Sequence, residues 1–417
     1  MGALGLVSAA LIAGCDKDKP KGAGGVGSAA PSVSAAASVP VNAQAVGTPA
    51  LDGKALLGKF QCNRCHDGTG LEAVPQNKHC VHCHTDIIEG RFKAPAASMA
   101  KWVPRVKDIQ DAPSLEATGK RFRRSYLEQY LLLPTHVRPM LVQSMPRLAM
   151  TGAEAKAIAA HLAPEDKDEP APKGDAGKGR ALVDSKGCGT CHQMGGVPKL
   201  TASALPVTMS PADFARGMRL APDLRHVRAR FAPSRAAAWL QDPKAVKADT
   251  VMPKIPLTSS EVDDIVSYLY TVQLEAPDVR PMPERLPVLS RKVTFDEVDK
   301  KVFHRTCWHC HSEPDYAIGD GGPGNSGGFG FPPRALNLSD YNGLTAGFLN
   351  DKNERQSIFK PEKDGVPRLV RALLARHAEE RGAATGEVRG MPLGYPALSL
   401  EDIQLVETWI AQGRPRT

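Results

Sequence analysis

Cys188-Gly-Thr-Cys191-His192 decides the reading, because its pattern occurs three more times, in Cys62-Asn-Arg-Cys65-His66, Cys80-Val-His-Cys83-His84 and Cys307-Trp-His-Cys310-His311. Each is Cys-x-x-Cys-His. Cysteine is only 9 of 417 residues, so four chance occurrences are excluded. Two thiols at i and i+3 lie within one helical turn, close enough to bond the two vinyl groups of one haem, and the adjacent histidine reaches the iron from the same side. Zinc is the rival, since Cys62, Cys65, Cys80 and Cys83 form a C-x2-C-x14-C-x2-C array near a zinc-ribbon spacing. Zinc does not require a histidine after each pair. Thioredoxin-like dithiols usually occur singly beside a βαβ unit. The pattern therefore predicts four covalently attached haem c groups, held by these eight cysteines and by His66, His84, His192 and His311.

The ninth cysteine ends an apolar segment too short to span a bilayer, residues 1–14, which closes Leu11-Ile12-Ala13-Gly14-Cys15. It resembles a bacterial lipoprotein signal, although the basic start is missing. That resemblance implies cleavage before Cys15, a lipid on its thiol, and a chain exported to the periplasmic side of the cell envelope and anchored to a membrane. Residues 15–50 then carry the lipid and a disordered Ala/Ser/Gly/Pro tether, a composition unable to bury a core. Polar or Pro-rich breaks at 164–176 and 276–291 separate three segments, 51–163, 177–275 and 292–417.

The rest of the composition is that of a globular chain, with 42% hydrophobic and 24% charged residues. The net charge of +8 is mild, and its lysines and arginines are scattered, so nucleic-acid binding is not indicated.

The segments repeat beyond the cysteines. Ala112-Pro113-Ser114-Leu115 corresponds to Ala221-Pro222-Asp223-Leu224. From that Pro to the next Phe, Phe122 or Phe231, is 9 residues in both, and on to Pro134 or Pro243 is 12 in both. Met-Pro follows at Met145-Pro146 and Met252-Pro253, and again at Met391-Pro392. Each precedes a helix start: Thr151 with Glu154 and Thr258 with Glu261 are capping boxes, and Ser399 with Asp402 is a variant. Apolar residues then recur at helical intervals, as at Val262, Ile265, Val266 and Leu269, or Ile403, Val406 and Ile410.

With a leading helix, Cys-x-x-Cys-His, a Pro loop, a middle helix, a Met-Pro loop and a closing helix, the chain resembles class I cytochrome c domains. The first two segments match throughout and the third mainly at its ends. The resemblance implies an all-α fold of three tandem cytochrome c-like domains with long loops after the tether. The first is dihaem and the others monohaem. It also implies iron held between a motif His and a loop Met: His192 with Met252, His311 with Met391, and Met145 in the first segment. Proline after methionine suits that role, since it keeps the thioether on an extended loop. Met140, Met150, Met194, Met209 and Met218 lack the pattern and read as packing residues.

The first segment has two motifs for one methionine. The 61 residues from His84 to Met145 resemble the 60 from His192 to Met252, which favours His84. Against this, Gly53 precedes Cys62 by 9, as Gly179 precedes Cys188, and the 79 residues from His66 to Met145 resemble the 80 from His311 to Met391. His66 with Met145 is preferred. The remaining haem then needs another distal ligand. His136, on the loop before Met145, is the first choice, because His79 and His82 flank Cys80 too tightly to reach across the same porphyrin. His226, His304, His309 and His377 have no repeated counterpart and default to surface or supporting roles. Gly319–Gly330 lacks the GK[ST] ending of a phosphate-binding loop.

Iron with two protein ligands has no place for substrate, so the expected function is one-electron transfer between redox partner proteins. The alternatives are a cytochrome subunit of a multisubunit membrane dehydrogenase or reductase complex, and an oxidase or peroxidase with one open haem.

Overall fold

Asp52 accepts from Lys54 N and starts the helix Gly53–Lys59, which crosses the helix Gly152–Leu162. At the crossing an added Cβ on Gly53 would run into Ala157 O. The second repeat is built alike: Asp175 caps Ala176–Ser185, and Gly179 of that helix lies against Asp264 O of Ser259–Thr271. Glycine is required at both places because any side chain would separate the two backbones. The closing helices begin where local chemistry dictates. Thr151 with Glu154 and Thr258 with Glu261 form complete capping boxes, and Ser399 accepts from Asp402 N at 3.1 Å to start Leu400–Ala411.

These helices belong to a computed structural model that describes residues 51–164, 169–170, 172–277, 280–313, 334–383, 386 and 388–417. Cys15, the tether and Gly319–Gly330 lie outside the described residues. The fold is all-α, with 47% helix and 2% strand among the described residues. Among the described residues the paired strands are one short antiparallel pair, Phe348–Leu349 with Arg355–Gln356. Among the described residues no helix is long and apolar enough to cross a membrane.

Ala50–Thr417 forms one compact unit, yet its apolar interior is divided. Leu57 and Ile158 centre one cluster, Val183, Val262 and Ile265 a second, and Val302, Phe303, Val406 and Trp409 a third. The third is the most aromatic. Trp409 is fully buried, with Phe295, Phe303 and Phe359 at ring centroid distances of 5.9, 6.0 and 5.7 Å. Removing such a ring costs about 3–5 kcal/mol. A nine-residue π-helix, Asp299–Cys307, leads into its motif and presents Val302 and Phe303 to that core.

The first two repeats meet through their own equivalent residues. Phe122 and Phe231 stack at 5.5 Å, Arg123 N donates to Arg230 O at 2.8 Å, and Arg235 donates to Phe122 O at 2.6 Å. The Pro-rich stretch before the third segment does not hang free. Gln404 donates to Pro287 O at 2.6 Å, Leu289 N to Thr408 Oγ1 at 2.9 Å, and Arg285 Nε to Glu407 at 2.9 Å, so the stretch is fastened along Leu400–Ala411. Met140 is 68% exposed and does not pack; it lies at the tip of its loop, whereas Met194 is core.

Candidate functional site

The first and third motifs share one local structure. Gln61 and Gly187, each just before the first cysteine, adopt left-handed backbone with φ of 53° and 78°. This breaks the leading helix, and for Gln61 the conformation costs about 1–3 kcal/mol. The chain then turns tightly: His66 N donates to Cys62 O at 2.9 Å and His192 N to Cys188 O at 2.8 Å. The rings are held alike as well. His66 Nδ1 donates to Pro113 O at 2.7 Å and His192 Nδ1 to Pro222 O at 2.8 Å, from the paired Pro loops. In each ring this bond fixes the tautomer with the proton on Nδ1, so that Nε2 carries the lone pair a metal would need. Desolvation lowers both pKa values, which keeps the imidazoles neutral.

The second motif is different. His79 caps the helix Cys80–Ile88 by accepting from His82 N at 3.2 Å, so Cys80, Cys83 and His84 occupy the first turns of a regular helix. His84 is buried, and its Nδ1 donates to Ile109 O at 3.1 Å. Burial first, then His309, pushes its pKa down to about 4.

The loop methionines sit in their own segments. Met145 packs on the same core as Cys62. The sulfur of Met252 accepts from Trp239 Nε1 at 2.8 Å, which fixes the thioether. Met391 N donates to Ala372 O at 2.9 Å, and Gly390 before it passes so close to Arg376 that no Cβ would fit.

A cavity of about 1060 Å³ lies between the first and third segments. Cys80, Cys83 and His84 line it from one side, and Cys307, Cys310, His311 and Met391 from the other. That volume is at the upper end for a single organic ligand, about 300–1,000 Å³. Cys65 also reaches this cavity. It hydrogen-bonds with Cys80, which raises the Cys65 pKa and, with help from Arg64, draws Cys80 down to about 7.

Within this frame, residues 176–273 match the cytochrome c family model. No curated protein and no solved structure matches the chain. The cytochrome c domain spans the second repeat, from its Asp175-capped helix through Ser259–Thr271. It implies covalently bound haem c and electron transfer.

The residues present fit that cofactor. Arg121 and Arg230, at matching positions before the paired phenylalanines, are 5% and 8% exposed. Among the described residues, Arg121 Nε and Arg230 Nε and Nη1 have no hydrogen-bond partner. Desolvation and mutual repulsion lower the Arg121 pKa to about 10. Buried guanidinium donors left unpaired are costly, and the two propionates of a haem would satisfy them.

The histidines are distributed otherwise than sequence proximity suggests. His136 is exposed, donates to Leu141 O through Nε2, and does not line the cavity that holds His84; it lies on the side of His226 and the second repeat. His136 is therefore not brought to His84. His79 and His82 stack at 3.7 Å and turn to Asp67, with His82 Nε2 at 3.0 Å from its carboxylate. They too are absent from the lining. The histidine that does face His84 is His309, at a ring centroid distance of 6.4 Å.

Proposed function

We propose that the chain is a lipid-anchored tetrahaem c-type cytochrome that passes single electrons between redox partner proteins in the cell envelope. The observation that carries this proposal is the convergence of three Cys-x-x-Cys-His motifs on one cavity, with Cys65 in hydrogen-bond contact with Cys80 and within electrostatic reach of Cys310. The matched domain joins that group through the Phe122–Phe231 contact. Cys15 would tether the chain to its membrane.

When bound, each haem supplies one-electron chemistry at a potential set by its axial ligands and burial. The protein's part is to hold those ligands. His66 and Met145 serve the first site, His192 and Met252 the second repeat, and His311 and Met391 the third segment. Pro113 O and Pro222 O orient two of the histidines, and Trp239 holds the sulfur of Met252. A haem held at these three sites by a histidine and a methionine would have no position left for substrate, and the chemistry it would supply there is one-electron exchange.

The test is a reductive titration of the intact protein with carbon monoxide present. Reversible one-electron steps without carbon monoxide binding support a carrier. Rapid carbon monoxide binding by the unmutated protein at one haem per chain, with peroxide turnover, would establish the oxidase or peroxidase alternative instead.

A further inference from the structure

We infer that His309 of the third segment is the distal ligand of the iron held by His84 of the first, so that one haem bridges the two segments. This rests on the proposed haem attachment at Cys80 and Cys83. Two imidazoles facing one metal from opposite sides have ring centres about 6 Å apart, a metal–nitrogen bond of about 2 Å on each side plus the half-width of each ring. His84 and His309 stand at 6.4 Å, with ring planes 35° apart, and both line the cavity. His84 Nδ1 is committed to Ile109 O, which leaves Nε2 for the iron.

The competitors fail on position or chemistry. His136 is exposed elsewhere, and His79 and His82 turn to Asp67. Tyr395 lies at the same 6.4 Å from His84, but a phenol must lose its proton to ligate, whereas imidazole ligates in its neutral form. His309 occupies a variable position inside Cys307-Trp-His-Cys310-His311, two residues before the proximal histidine of the third-segment haem. The backbone of this motif then forms a short route between the two irons.

The experiment uses the full-length holoprotein with His309→Ala and His309→Met, both of which keep Cys307, Cys310 and His311. In His309→Ala, reduced protein binds carbon monoxide at one haem per chain and loses one bis-imidazole low-spin signal in electron paramagnetic resonance. Added imidazole restores it. In His309→Met, one potential rises and carbon monoxide is again excluded. A fully haem-loaded His309→Ala protein with unchanged low-spin signals and no carbon monoxide binding overturns the inference alone. Peptide mass showing bare thiols at Cys80 and Cys83 in the wild type overturns the haem assignment there, and the inference with it.

Discussion

Replacing Arg376 by Met lowers the unfolding free energy of the holoprotein by about 3–5 kcal/mol, the usual effect of removing one partner from a buried charge network. Arg376 is 1% exposed. It donates to Tyr395 O at 2.8 Å, next to the Met391 loop, and to Gln143 O at 2.6 Å, next to the Met145 loop. It also lies 3.6 Å from Glu379, itself 3% exposed and donated to by Gly390 N at 2.8 Å. The substitution leaves two carbonyls without their donor and two carboxylates, Glu379 and Glu380 at 3.6 and 3.7 Å, without their nearest cation. Because the side chain ties together two methionine loops, the loss appears in a denaturant melt as a lower midpoint. A midpoint unchanged from wild type would mean that the two segments do not depend on this contact.

Replacing Met252 by His lowers the potential of one haem by a few tenths of a volt, out of a range of about 0.8 V that axial ligands span. Thioether ligation raises a haem potential, and imidazole in its place removes that effect. The other potentials move little, since Met145 and Met391 belong to separate cores. Spectroelectrochemical titration reads the shift directly. Four unchanged potentials in the variant would show that Met252 is not a ligand and that its contact with Trp239 only serves packing.

Local chemistry was legible in the sequence and distant contacts were not. The capping boxes at Thr151 and Thr258 depend on residues three apart, so the chain spells them out. The equal counts from Pro113 to Phe122 and from Pro222 to Phe231 also have a structural meaning, since the prolines orient His66 and His192 and the two phenylalanines stack. The meeting of His84 with His309 is different. The two are 225 residues apart, and they face each other only because the first and third segments dock through Arg376 and its neighbours. Sequence nearness to Met145 pointed to His136, but nearness along a loop does not fix which side of the segment a ring occupies. Unlike the Cys62 and Cys188 motifs, which follow a left-handed turn, the second motif opens a regular helix, and that distinction is a backbone property.

The central claim, a chain of four covalently held haems, is tested most directly by the intact mass of protein matured with ample haem, followed by peptide mapping of the four motifs. The account predicts four haem additions per chain, one on each pair, Cys62 with Cys65, Cys80 with Cys83, Cys188 with Cys191, and Cys307 with Cys310. A mass corresponding to three additions or fewer would contradict it.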